Sequence, residues 1–201
     1  MNRAEFEKYE DFMACVDFHG HICPGLAIGY RAAKEGMKTL DEHRSVDEEV
    51  VAIVENNACG TDAVQVLTGC TFGKGNLIHK DYGKQVFAFL GRDSGKGVRL
   101  AMRADVMKRS DEHQELMDKI RQDTATEEEK KRFWMLHGQK SRDVLDMPVD
   151  RLFSKRLVDM DLPPKAKIEP SIPCDNCGEP TMASKLTEQG GQKLCGECME
   201  S

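Results

Sequence analysis

Apolar residues recur at three- and four-residue intervals from the start of the chain. Phe6, Tyr9, Met13 and Val16 form one such stripe and predict an opening helix. A second stripe, Leu26, Tyr30, Ala33 and Met37, follows Pro24, whose ring suits the first turn of a helix. The pattern then shortens. VVAIVE at 50–55 is a β-branched run and predicts a buried strand. Thr61 is placed to cap a short helix through TDAVQVL. QVFAFLGR and KGVRLAMR flank the turn signal Asp93-Ser94-Gly95 and predict a β-hairpin. Thr126 and Glu129 have capping-box spacing ahead of FWMLHG, and Gly138 is a natural helix stop. The strands cluster in the middle instead of alternating with helices. This predicts an α+β fold, with helices packed on a central, mostly antiparallel sheet.

The patterning breaks at residues 162–174, where four of the seven prolines fall: Pro163, Pro164, Pro170 and Pro173. Proline forbids regular ladders and stiffens an extended chain, so this stretch reads as a semi-rigid linker. The expected organisation is a core domain at 1–162, then a Pro-rich linker with a small terminal domain at 163–201. The core is long enough to bury its own apolar centre; the terminal piece is too short to do so without a staple.

Composition narrows the function classes. A net charge of −6 argues against a nucleic-acid partner, because phosphate neutralisation needs excess Lys and Arg. The longest apolar runs, VVAIV and VFAFL, are far short of the roughly 20 residues that span a bilayer, so no membrane association is expected. The opening MNRAEFEKYEDF lacks a charged n-region followed by an apolar run, which points to the cytoplasm. In that reducing compartment the eight cysteines read as metal ligands, catalytic groups or buried hydrophobes rather than disulfides.

Cys174 with Cys177 and Cys195 with Cys198 are two Cys-x-x-Cys pairs with 17 residues between them. That spacing is expected of a four-thiolate zinc ribbon. Gly178 and Gly196 allow the tight turns that aim the sulfurs inward. A closed four-thiolate site is structural, and binding of about 10–16 kcal/mol would fold so small a unit.

A second constellation lies in FHGHICPG, residues 18–25. His19, His21 and Cys23 alternate, so in an extended segment all three would share one face and could meet one transition metal. Such a set leaves a position for a fourth ligand or a substrate. Cys23 precedes Pro24 and Cys59 precedes a helix start, so both would sit at positive helix ends that favour thiolate. They are therefore the candidate nucleophiles, and Cys59 is also the candidate fourth ligand. Alternatively, the histidines satisfy backbone groups and the cysteines are buried packing. Asp62 and Gln65 share a face of the following helix. Cys70 is a weaker ligand candidate beyond it, and Lys74 lies in a glycine-rich stretch that could meet an anion. GCTFGKGN fails as a phosphate loop, since the required four residues and the following Ser or Thr are missing. Cys15 reads as packing, and His43, His113 and His137 as solvated.

FHGHICPG, NNACGTDAVQVLTGCTFGKGNL, the DYGKQVFAF segment and the terminal four cysteines together resemble the FmdE-like family, named for a component of formylmethanofuran dehydrogenase. The resemblance implies an α+β core, often followed by a zinc ribbon, in an intertwined homodimer. It implies a partner, a molybdenum or tungsten oxidoreductase that attaches a one-carbon unit to methanofuran. It also implies that His19, His21, Cys23 and Pro24, with Cys59, Asp62, Gln65, Cys70, Thr71, Lys74 and Asn76, line a metal-containing cleft. The chain has no ferredoxin-type cysteine run and is too short to hold a molybdopterin site beside its own core. It is therefore not the dehydrogenase itself. Three readings follow: a metal-binding homodimeric accessory protein with a redox, metal-delivery or one-carbon role; a stand-alone cysteine- or metal-dependent enzyme; or a zinc-ribbon adaptor for a protein partner.

Overall fold

A computed structural model of the protein describes residues 3–9 and 11–200. The chain divides into two compact units, one ending at Lys165 and one beginning at Ala166.

In the first unit a 3-10 turn, Arg3–Phe6, precedes α1 (Phe12–His19) and α2 (Pro24–Leu40). The single opening helix expected from the Phe6–Val16 stripe is thus two pieces. Asp11, in the left-handed region at φ 62°, starts the second piece. The stripe still does its work, because Phe6 and Phe12 are fully buried and ring-packed against Tyr9 and Tyr30. Then come β1 (Val50–Val54), α3 (Gly60–Thr68), β2 (Leu77–His79), β3 (Val86–Gly91) and β4 (Gly97–Met102). They are followed by α4 (Asp111–Arg121), α5 (Glu127–Asp146), α6 (Val149–Leu152) and β5 (Phe153–Val158).

The fold is α+β. The five strands run in the order β2-β1-β3-β4-β5, and every pairing is antiparallel except β1 with β2. β1 is buried along its whole length, as its unbroken apolar run requires. One face of the sheet meets α2, whose buried residues join Val50, Ala52, Phe87, Phe89, Val98 and Leu100 in the main core. On the other face Val51, Ile53, Ala88 and Leu90 pack under Val158, Met160 and Leu162.

α5 is longer than its sequence signals suggest. The capping box at Thr126 and Glu129 is present, but Gly138 does not stop the helix. Gly138 is buried on the same side as Phe133, Ser141 and Val144, so packing carries the helix through the weak position to Asp146. α4 and α5 form a satellite core of Leu116, Met117 and Phe133. His113 is buried there rather than solvated, with Nε2 3.3 Å from Nδ1 of the half-buried His137. Burial, helped by the neighbouring imidazole, pushes His137 down to about 4 and His113 below its ordinary range. Both are neutral in the fold, so the stability they allow is present above about 6.5 and is lost as pH falls towards 4. Between these limits the thermal midpoint should drop by the equivalent of about 1–2 kcal/mol more in the native protein than in a His137→Phe variant, after discounting for partial exposure. Equal acid slopes in the two proteins would contradict this.

The second unit contains two small hairpins, β6 (Ser171–Pro173) with β7 (Pro180–Met182) and β8 (Thr187–Gln189) with β9 (Gln192–Leu194), followed by α7 (Gly196–Glu200). The end of the expected linker is therefore a strand, because Pro173 sits opposite Pro180 at a ladder position where neither donor is needed. Among the described residues no helix is long and apolar enough to cross a membrane.

Candidate metal centre

The site is built where two helix starts meet one helix end. α1 stops at His19 because Gly20 enters the left-handed region at φ 95° and returns its N–H to the Val16 carbonyl. Beyond that turn Cys23 is extended (φ −148°, ψ 159°) and caps α2, its Sγ accepting the Leu26 N–H at 3.3 Å. His19, His21 and Cys23 therefore do not converge by strand alternation, as their spacing suggests. A helix end, a left-handed turn and an extended cap fold the segment back on itself.

Cys59 arrives from a different part of the chain. It stands immediately before α3, in the capping position expected of Thr61, whose hydroxyl instead donates to the Asn56 carbonyl at 3.3 Å. α3 lies against the first turns of α2 with only glycine between them. A Cβ on Gly25 would come 3.2 Å from the Cβ of Cys59, and one on Gly29 would overlap the backbone of Gly60. This close approach sets Cys23 and Cys59 beside each other.

Ligand atoms of His19, His21, Cys23 and Cys59 lie within 4.8 Å of one another. Nε2 of His19 is 3.8 Å from Sγ of Cys23. Tetrahedral zinc with ordinary bond lengths separates a nitrogen from a sulfur ligand by about 3.6 Å, so the set fits a small transition ion. The far side of His19 is fixed by Asp62, whose Oδ2 is 2.7 Å from Nδ1. That carboxylate holds the tautomer with Nε2 free to face an ion, and its other oxygen accepts from Gln65 at 3.4 Å. His21 is the exposed member of the quartet, whereas Cys23 is buried. The two thiols share a proton: the hydrogen bond from Cys23 holds Cys59 well below the usual thiol range, and that bond together with burial pushes Cys23 up. Cys59 is thus the first thiolate offered to a metal or an electrophile.

The other half of the motif does not join this set. α3 is nine residues long and places Cys70, just past its end, about 13 Å along the axis from Cys59. Cys70 is buried and donates its S–H to the Val50 carbonyl at 3.2 Å. Lys74 donates to the carbonyls of Ser45 (3.2 Å) and Val46 (3.3 Å) rather than meeting an anion. Asn76, fully buried, donates to Asp47 and Val50 and accepts the Thr71 N–H at 2.9 Å. The expected cleft roles of Cys70, Thr71, Lys74 and Asn76 are corrected to scaffolding: they tie the loop after α3 to the segment leading into β1. Cys15 is packing, as its place on α1 suggests.

The terminal cysteines also converge. Sulfur atoms of Cys174, Cys177, Cys195 and Cys198 fall within 4.8 Å of one another, and Cys177 and Cys195 are 3.9 Å apart. A tetrahedral four-thiolate zinc spaces its sulfurs by about 3.8 Å. Gly178, at φ 75°, closes the first turn with its N–H on the Cys174 carbonyl at 2.9 Å. Backbone N–H groups of Cys177 and Cys195 hold the Cys174 thiol down to about 6, ready to bind as thiolate. This cluster can hold a metal such as zinc.

One part of the surroundings left no signal in the sequence. The ring of Trp134, on α5, stands edge-on to His21 with centroids 6.3 Å apart, and both line a cavity of about 620 Å³. Only the fold of α5 over the end of α1 brings them together.

A family model described as "FmdE, Molybdenum formylmethanofuran dehydrogenase operon" matches residues 18–154, which include the whole His/Cys quartet. A protein of Archaeoglobus fulgidus, named a probable S-adenosyl-L-methionine-binding protein, is 36% identical over 195 residues covering 92% of this chain. The chain spans about half of that relative, 51% of its length. The crystal structure of an FmdE-like protein of tungsten formylmethanofuran dehydrogenase from Syntrophus aciditrophicus superposes with a TM-score of 0.61 at 25% identity, over 96% of this chain and 91% of that one.

Proposed function

The chain belongs to the FmdE family, and on that footing we propose that it is a metal-binding, homodimeric accessory protein of a molybdenum or tungsten enzyme system. The observation that carries the reading is the His19–His21–Cys23–Cys59 quartet, with Asp62 orienting His19 from behind. These residues would hold one transition ion, and the four ribbon cysteines would hold a structural zinc. The core ion, when bound, supplies a Lewis-acidic or redox centre. The chain's own residues position the ion at two helix N-termini, where the dipoles favour thiolate, and leave only His21 of the four ligands fully exposed. Its place in one-carbon chemistry and its oxidoreductase partner are part of this proposal. S-adenosyl-L-methionine enters only as a ligand to be tested, because the chain spans about half of the relative that carries the name.

Elemental analysis of the purified protein should give two metals per chain. Cys59→Ala should lose one and keep the ribbon ion. Asp62→Asn should keep both at saturation while the core site weakens by about 10–100-fold. A single metal, unchanged by Cys59→Ala, would refute the core site; a monomer on sedimentation would refute the dimer.

A second reading has its own support. The lowered thiol of Cys59, beside His19, also suits a nucleophile in an enzyme. The two readings part on alkylation near pH 7. If Cys59 serves the metal, iodoacetamide should modify it quickly only after the metal is stripped. If it serves as nucleophile, it should react quickly in the protein as isolated.

A further inference from the structure

The cavity beside His21 has the size and character of a small-molecule site. Its volume of about 620 Å³ falls within the range of ligand pockets, roughly 300–1,000 Å³. Its walls are largely apolar: Val16 and Ile22 come from α1 and the turn after it, Trp134 and Met135 from α5. Trp134 and Met135 are exposed there, and large apolar side chains left open around a concave surface mark binding sites.

The charges around the cavity are uneven. Arg142 is paired with Glu5, and Arg3 with Asp17, so both guanidinium groups are already matched. Lys131 also lines the cavity, one turn before Trp134 on α5, and has no ion pair among the described residues. Residues three apart on a helix share a face, so an aromatic surface and an unmatched ammonium are presented side by side. His21, with its ring 4.4 Å from that of His19, closes the inner end.

We propose that this cavity binds a heteroaromatic ligand bearing a carboxylate or phosphate, its ring against Trp134 and its anion at Lys131. Such a ligand lies beside the exposed member of the His/Cys quartet. The cavity would therefore be the substrate or coligand position of the core metal, and to that extent the inference rests on the proposed function. Trp134 supplies the aromatic face, Met135 and Ile22 the apolar walls, and Lys131 the preference for a negative charge.

Trp134 is the sole tryptophan of the chain, so its emission reports on this cavity alone. The full-length protein is titrated with 2-naphthoate against 2-naphthamide, and with adenosine monophosphate against adenosine. At least one anion should shift the emission and bind about fivefold more tightly than its neutral partner. The pair that shows the preference identifies the anionic group. In Lys131→Met the ratio should fall to about one. In Trp134→Ala, followed by calorimetry, the preferred probe should bind about tenfold more weakly. Both side chains reach the surface, and circular dichroism should show unchanged folding. The proposal is overturned if no probe moves the emission, if charged and neutral partners bind alike in the native protein, or if Trp134→Ala leaves affinity intact. Metal counting separates the two ideas: a chain that holds only the ribbon ion yet shows the charge preference loses the core metal and keeps the cavity.

Discussion

Stripping the metal from the terminal cysteines, or replacing Cys174 with Ala, is expected to unfold the unit that begins at Ala166. Among its described residues only Cys174 and Cys195 are buried apolar groups, and both are ligand candidates. Its strands are three residues long, and Met182 and Ile168 are exposed. So small a piece has no apolar core to offset its ordering entropy, and the ion must provide it. A four-thiolate zinc supplies about 10–16 kcal/mol, far more than side-chain packing could add here. Hydrogen exchange by mass spectrometry should show amides of residues 171–200 unprotected after chelation, with β1 and β3 still protected. Persisting protection in the ribbon of a Cys174→Ala, Cys195→Ala protein would show that it folds without metal.

Gly29→Ala should be nearly as disruptive, although it adds one methyl group. That methyl would overlap the backbone of Gly60, and backbone cannot rotate out of the way. Either α3 moves off α2 or the protein carries the strain, at a cost of about 3 kcal/mol. The shift has a functional sequel. Cys23 caps α2 and Cys59 stands at the start of α3, so separating the helices opens the ligand set. Metal affinity at the core site should fall by about tenfold or more, with the ribbon site unaffected. Gly73→Ala is the control, since a Cβ there meets nothing within 4 Å. Denaturant midpoints and metal competition titrations measure both effects; equal stability and affinity in Gly29→Ala and Gly73→Ala would show that the close approach does not matter.

The same residues mark how far local sequence reaches. The α+β class, the buried β1, the caps at Cys23 and Thr126 and the four-cysteine cluster all follow from short stretches of sequence. His19, His21 and Cys23 are recognisable as a group, but the spacing suggests strand alternation where the chain uses a helix end and a left-handed turn at Gly20. The motif around Cys59 and Cys70 reads as one unit, yet α3 stands between its halves and sends them to different tasks. Gly138 reads as a stop, and its burial beside Val144 overrides it. His113 and His137 look solvated among charges until α4 folds onto α5.

By itself, then, the sequence determined what depends on neighbours a few residues apart: helix and strand periodicity, capping, and the paired cysteines whose spacing already places two sulfurs on one side of a turn. Tertiary structure alone decided which reactive side chains meet. Cys59 joins His19 only because glycines let two helices touch, and Trp134 reaches His21 only because a helix more than a hundred residues away in sequence packs across the end of α1. Those meetings depend on burial summed over the whole core, a long-range quantity that no local pattern encodes.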